Sequence, residues 1–229
     1  MIVFIAGMQR SGSTFAFNVA RDLLRSRGQV YQDESGEADI VQALARSEGA
    51  EHVLMKSHAA CPATVTLARH GAVRTVFTAR RVEDAAASWI ETFGWSEAET
   101  IEHLRTWLAL YARLRGAALL VPYTQLDRRP WLAAWHIAHF LCRDATPAEA
   151  ICIARRHAKA RVKQRADALR SGDEGVADLG FSYYDRATLF HRRHVSSLRS
   201  RRAEERLPPD QVARIRTALA SDIAAAKLA

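Results

Sequence analysis

Gly7-Met8-Gln9-Arg10-Ser11-Gly12-Ser13-Thr14 is the stretch on which the fold turns. The apolar run Ile2 to Ala6 precedes it, with β-branched members, and reads as a buried parallel strand. Phe15, Val19 and Leu23 follow at helical spacing, with Leu24 beside them, and predict a helix over Ser13 to Arg27. A glycine-rich turn between a strand and a helix lets successive backbone N–H groups and the helix N-terminus hold an anionic phosphate. The glycines let the backbone approach without a Cβ in the way. The Gly-x4-Gly spacing is that of a P-loop, but the lysine that should follow is missing. Ser13 stands there, and the cation has moved inside the loop as Arg10. That speaks against an NTPase.

Outward from this turn, short apolar runs recur at His52 to Lys56, Val73 to Thr78 and Ala118 to Val121, each read as a strand. Helices are expected between them: from Pro62 to about Arg69, from Val82 to Thr92, and from Ser96 to Arg115. The last opens with a capping box, Ser96 with Glu99, and Gly116 marks its stop. Strands alternating with helices predict an α/β fold with three αβα layers. The expected central parallel sheet has about four to five strands and is P-loop NTPase-like. After Pro130 the pattern is helical: Trp131 to Cys142, Pro147 to Ala168, and a last helix from Pro208-Pro209. Ser171 to Gly180 is polar with three glycines and reads as a loop. No repeat or linker divides the chain, so one domain over 1–229 is expected.

Composition narrows the classes. The 229 residues carry 33 Lys+Arg against 25 Asp+Glu, a net +8 that attracts anionic ligands without naming one. The Arg- and Lys-rich stretch after Pro147 reads as a solvated helix face, and no nucleic-acid partner is expected. Cys61, Cys142 and Cys152 lack pairing or CxxC spacing, which argues against a disulfide framework and against structural zinc. The apolar start is too short for a signal peptide or a membrane span. The expectation is a cytoplasmic protein with no membrane partner. No Walker-B carboxylate follows the third strand, where Thr78 leads into Ala79, Arg80 and Arg81. A basic group in place of a metal-binding acid suits a donor with phosphates at separate positions and no required metal.

Arg10-Ser11-Gly12-Ser13-Thr14-Phe15 resembles, residue by residue, the 5′-phosphosulfate loop of the sulfotransferases that use 3′-phosphoadenosine 5′-phosphosulfate (PAPS). The cytosolic small-molecule branch commonly has lysine where Arg10 stands; arginine is seen in carbohydrate-type and bacterial members. The resemblance implies a sulfuryl transfer from PAPS, leaving PAP, to an acceptor hydroxyl or amine on a small molecule or glycan. It implies that Arg10, Ser11, Gly12, Ser13 and Thr14 hold the 5′-phosphate and sulfate, with Phe15 near the nucleotide. Arg80, Asp84 and Ser88 match a second family pattern, which implies that Arg80 and Ser88 bind the 3′-phosphate. Independently, arginine offers a planar fork of donors to a phosphate. Asp84 is expected to cap or orient.

Lys56-Ser57-His58 closes the second strand. Side chains two apart on an extended segment point the same way, so Lys56 and His58 converge at the strand end where α/β sheets bind ligands. The family's Lys-x-His implies that His58 is the general base, and an ordinary histidine pKa of about 6.5 suits that task. Lys56 would stabilise charge on the leaving phosphate or the transferring oxygens. Tyr123 and Leu126 keep part of a family Tyr-Glu-x-Leu element, with Thr124 for Glu; Tyr123 either borders a purine or packs in the core. The cytosolic branch's C-terminal Arg-Lys-Gly loop is absent. In its place Phe190-His191-Arg192-Arg193-His194-Val195-Ser196-Ser197 either closes over the 3′-phosphate, with Arg192 and Arg193 as contacts, or guides an acidic acceptor, or is a solvated turn. Trp89, Phe93 and Trp95 either line an acceptor pocket or pack helices. The alternatives to a sulfotransferase are a P-loop small-molecule kinase and a non-catalytic anion- or nucleic-acid-binding protein. The oligomeric state is not legible.

Overall fold

The structure, a computed structural model, describes residues 1–34, 36–178, 183–191, 195 and 198–228. Five parallel strands form the central sheet: β1 (Ile2–Gly7), β2 (Val30–Asp33), β3 (His52–Ser57), β4 (Arg74–Ala79) and β5 (Ala118–Pro122), in the order β2-β3-β1-β4-β5. The predicted αβα architecture is therefore present. The β2 strand was not foreseen, because its Val-Tyr-Gln-Asp is too short and polar to stand out; it is an edge strand beside β3.

Alternation along β1 explains the layers. Phe4 and Ala6 face one side, with Trp107, Leu104 and Tyr111 of α5 (Glu97–Leu114) and Ile215 and Leu219 of α10 (Pro209–Ala226). Val3 and Ile5 face the other, with Phe17 and Leu23 of α1 (Ser13–Arg25), Ile137 of α7 (Pro130–Leu141) and Ile153 of α8 (Pro147–Arg156). Both faces are covered, as an all-parallel sheet requires. The remaining helices before α8 are α2 (Ile40–Arg46), α3 (Pro62–Arg69), α4 (Val82–Phe93) and α6 (Tyr123–Arg128). The α5 capping box forms as read, Ser96 Oγ accepting from Glu99 N–H and the Glu99 carboxylate accepting from Ser96 N–H.

The second half corrects the sequence reading twice. The single helix expected over Pro147 to Ala168 is broken at His157–Ala158 into α8 and α9 (Lys159–Ala168). The glycine-rich stretch is not all loop. Val176–Asp178 (β6) pairs antiparallel with Tyr183–Asp185 (β7), which pairs with Phe190–His191 (β8). A helical C-terminal half thus also carries a small sheet. Its strands are two or three residues long, below what period-two reading can detect. No helix among the described residues is long and apolar enough to cross a membrane.

Candidate active site

Strand register assembles the site. Ala6 pairs with Ser57, and Gly7 pairs with Thr78. The first residue past β3 is therefore His58, which lands beside Gly7 and places its Nδ1 on the Gly7 carbonyl at 2.5 Å. A carbonyl only accepts, so Nδ1 carries the proton, and the lone pair of the neutral ring is on Nε2. Likewise Ala79 pairs with Pro122, so Arg80 and Tyr123 leave neighbouring strands together. The Arg80 guanidinium carbon sits 4.6 Å from the Tyr123 ring centroid. All these groups lie at the C-terminal edge of the sheet, where open α/β sheets bind ligands.

The loop between β1 and α1 is held from below. Met8 N–H donates to the Thr78 carbonyl, and Trp107 Nε1–H donates to the Ala6 carbonyl at 2.9 Å. A Cβ on Gly7 would come within 2.1 Å of Ser13 Cβ, so only glycine fits there. Gly12 has φ +86°, and Arg10 is left-handed at φ 59°, a conformation that costs an L-residue about 1–2 kcal/mol. No side chain caps α1. The first amides of the helix, with Gly12, Ser13 and Thr14 on the cavity wall, form the open N-terminus that suits an anion.

Ser11 departs from its expected place. Its hydroxyl is fully buried and bonds to the Met8 and Thr78 carbonyls and to Thr78 Oγ1 at 2.6 Å. Its amide donates to the Met8 carbonyl. Ser11 therefore fastens the loop to β4 instead of offering its polar atoms to a ligand.

A cavity of about 350 Å³ joins the other groups. Arg10, Ser13, Thr14, Phe15, Lys56, His58, Arg80, Ser88 and Tyr123 all line it. Arg10 Nε–H donates to Ser88 Oγ at 3.2 Å, linking the loop to α4. Burial, with the charges of Arg206 and Arg80 adding to it, pulls the Arg10 pKa down to about 10, still protonated at neutrality. Burial brings half-buried Lys56 to about 8, against the opposing pull of Glu34. Burial and then the Lys56 charge bring His58 to about 4, so it is neutral at pH 7. Trp89 and Phe93 line the same cavity, and Trp95 stacks on Trp89 with ring centroids 4.6 Å apart.

Arg192 and Arg193 lie outside the described residues, as do His194, Ser196 and Ser197. The segment just after them reaches the Arg80 side of the cavity. Arg80 donates to the Arg201 carbonyl at 2.8 Å, and Tyr123 Oη shares a hydrogen bond with Ser200 Oγ at 3.1 Å. Asp84 holds this segment in place by accepting from the Ala203 amide at 2.8 Å and from Arg202 at 3.2 Å, the orienting role expected for it. Arg199, Ser200 and Arg206 line the cavity, and Arg206 is held by Glu91 at 3.0 Å. The sequence reading did not single these out. A run of arginines broken by glutamates looks like any solvated turn until Glu91 and Asp84, more than a hundred residues away, are seen to fix it.

These features define an α/β protein with an open, uncapped loop suited to an anion and a second basic end in one cavity. Among the described residues no cluster of three or more His, Cys, Asp or Glu could hold a metal. No protein-family model and no curated protein matches the chain. Solved structures do match. Mouse sulfotransferase SULT7A1 complexed with PAP superposes with a TM-score of 0.62 at 13% identity, over 97% of this chain and 84% of that one. Retinol dehydratase with androsterone and the inactive cofactor PAP gives 0.59 at 14%, over 96% and 80%. The same enzyme with retinol and PAP gives 0.58 at 14%, over 96% and 80%. The chain has the fold of the PAPS-dependent sulfotransferases.

Proposed function

We propose that this chain is a PAPS-dependent sulfotransferase acting as one domain, moving a sulfuryl group to the hydroxyl or amine of a small-molecule acceptor. The observation that carries the reading is that Arg10 and Arg80, just past the ends of two different strands, line one cavity, with the Arg80 charge acting on Arg10. One bis-phosphorylated adenosine can then be gripped at both ends. The residues fit such a donor: uncapped helix amides and Arg10 stand at one end, on a loop whose Gly7 is packed too closely on Ser13 and Thr78 to carry a Cβ. Arg80, Arg206 and Arg199 stand at the other, with Tyr123 between.

His58 is the general base. The Gly7 carbonyl fixes its tautomer, and Nε2 takes the acceptor proton as the acceptor oxygen or nitrogen bonds to sulfur. Lys56 and Arg10 offset the charge that moves onto the sulfuryl and 5′-phosphate oxygens, in a site where burial strengthens each interaction. Holding acceptor and donor in line supplies much of the rate. Trp89 and Phe93 supply an aromatic wall for the acceptor. The three cysteines are all free thiols, which agrees with a reducing, cytoplasmic setting.

Calorimetry with PAP and with ATP–Mg²⁺ tests the donor: PAP binds and ATP–Mg²⁺ does not. Incubation with sulfur-labelled PAPS and a panel of phenols, alcohols, amines and sugars then tests transfer. Binding of ATP–Mg²⁺ in preference to PAP would replace this reading with that of a kinase.

A further inference from the structure

Among the groups in the cavity that the reaction above does not use is the imidazole of His191. It stands on β8, opposite Tyr184 of β7. Its ring centroid is 5.9 Å from that of Phe93, and the Arg10 guanidinium carbon lies 5.5 Å from the same Phe93 centroid. His191, Arg10 and Lys56 all line the cavity.

The segment Ala187 to Phe190 that leads into His191 is anchored four times. Asn18 of α1 donates to the Thr188 carbonyl at 2.7 Å, and Arg21 of α1 donates to the Ala187 carbonyl. Leu189, left-handed at φ 59°, is buried in the core beneath α1. Phe190 is buried against Val162 and Ala166 of α9. These fastenings deliver the imidazole to the donor loop on a fixed support, which is what a preorganised donor requires. Burial, and then the charges of Arg10 on the loop and Lys56 on β3, bring its pKa to about 4. The ring is neutral at pH 7 and carries one N–H.

We infer that His191 is a further catalytic residue, donating an N–H to a sulfuryl oxygen beside Arg10 and Lys56 while His58 removes the acceptor proton. The inference rests on the sulfotransferase reading. In-line transfer spreads charge over three sulfuryl oxygens, and donors aimed at them act where charge develops. A neutral N–H can stand among two cations without the repulsion a third cation would add. The step balances: the S–O bond to the 5′-phosphate breaks as the bond from the acceptor atom to sulfur forms. The acceptor proton goes to His58 Nε2, PAP leaves with the bridging oxygen, and His191 keeps its proton throughout.

The test uses the whole chain and needs no known acceptor, because water can take the sulfuryl group. Release of labelled sulfate from PAPS is measured for wild type, His191→Ala and His191→Asn, with PAP affinity by calorimetry on each. The expected result is a fall in kcat of about 100-fold in His191→Ala, with PAP affinity within about 2-fold of wild type. His191→Asn, which keeps a neutral N–H donor, recovers about 10-fold of the loss. Turnover of His191→Ala within about 3-fold of wild type, or His191→Asn no better than His191→Ala, overturns the inference and leaves the sulfotransferase reading standing. A wild type that neither binds PAP nor releases sulfate overturns both.

Discussion

Lys56 on β3 and His58 just past its end sit two residues apart, and burial pulls both down, to about 8 and about 4, on either side of neutrality. In its proposed role as base His58 must be neutral, which is the case above about 4; Lys56, to stabilise charge as proposed, must be protonated, which holds below about 8. The pH profile of kcat/KM reports groups of the free enzyme, so it should rise through about 4, stay level through neutrality and fall through about 8. Lys56→Arg should remove the alkaline limb while keeping the acid one, since arginine stays charged. An acid limb near the unperturbed value of about 6.5 would show that burial does not shape this histidine. His58→Ala should abolish turnover and change PAP affinity by no more than about 2-fold, because the proposed base acts on the acceptor and not on the phosphates.

At the scale of elements, two aspartates join distant parts of the chain. Asp84 on α4 holds the Ala203 amide and Arg202, and through them the segment that brings Arg199, Ser200 and Arg206 to the cavity. Asp84→Ala should leave the fold cooperative and weaken PAP about 10-fold, a loss of about 1.4 kcal/mol, with thermal melting and calorimetry separating the two effects. Asp22 on α1 lies against Arg156 and His157 at the end of α8, with His157 Nε2 2.9 Å away. Burial pushes its carboxyl up, but hydrogen bonds from His157 and Arg21 outweigh that and hold it at about 2. With its folded pKa depressed, Asp22 contributes stability that is present above the unfolded value of about 3.9 and is lost as pH falls towards 2. Asp22→Asn should cost about 3 kcal/mol, roughly 6–12 °C in Tm, measured by thermal melts at pH 7. The same melts at pH 2 should show a much smaller difference.

These two aspartates also mark where sequence reading stops. The β1 loop, Lys56-Ser57-His58 and Arg80 were legible because strand, turn and helix are local, and register then brings their ends together. Asp84 was legible as an orienting group for its place on the helix after Arg80. What it orients was not, since Ala203 and Arg202 are over a hundred residues on. Ser11 was read from its place in the motif; its hydroxyl turns inward because Thr78 of a neighbouring strand lies under it, a contact no spacing encodes. The strap carrying His191 is built from strands too short to show a period, and its position depends on Asn18 and Arg21, whose polarity on a buried helix face had no visible reason until their partners were known.

Over the whole molecule, the proposed function makes the cavity a device for telling one nucleotide from another. The β1 loop can hold any 5′-phosphate, so it cannot by itself prefer PAP to adenosine 5′-monophosphate. Discrimination must come from the far end, where Arg80 is fixed by three neighbours: the Tyr123 ring below it, the Arg201 carbonyl, and Asp84 at 3.9 Å. Its guanidinium is thus set before any ligand arrives, and little ordering cost falls on binding. Arg206, buried and tied to Glu91, stands close enough to add to the same field. Wild type should therefore bind PAP about 100-fold more tightly than adenosine 5′-monophosphate, about 2.7 kcal/mol, the scale of a charge-assisted phosphate contact. Arg80→Ala should bring that ratio below about 10 by weakening PAP alone. Arg10→Ala should weaken both nucleotides alike and leave the ratio near its wild-type value. Calorimetry with the two nucleotides on the three proteins decides the matter. If Arg10→Ala erases the preference and Arg80→Ala does not, the donor lies in the cavity the other way round.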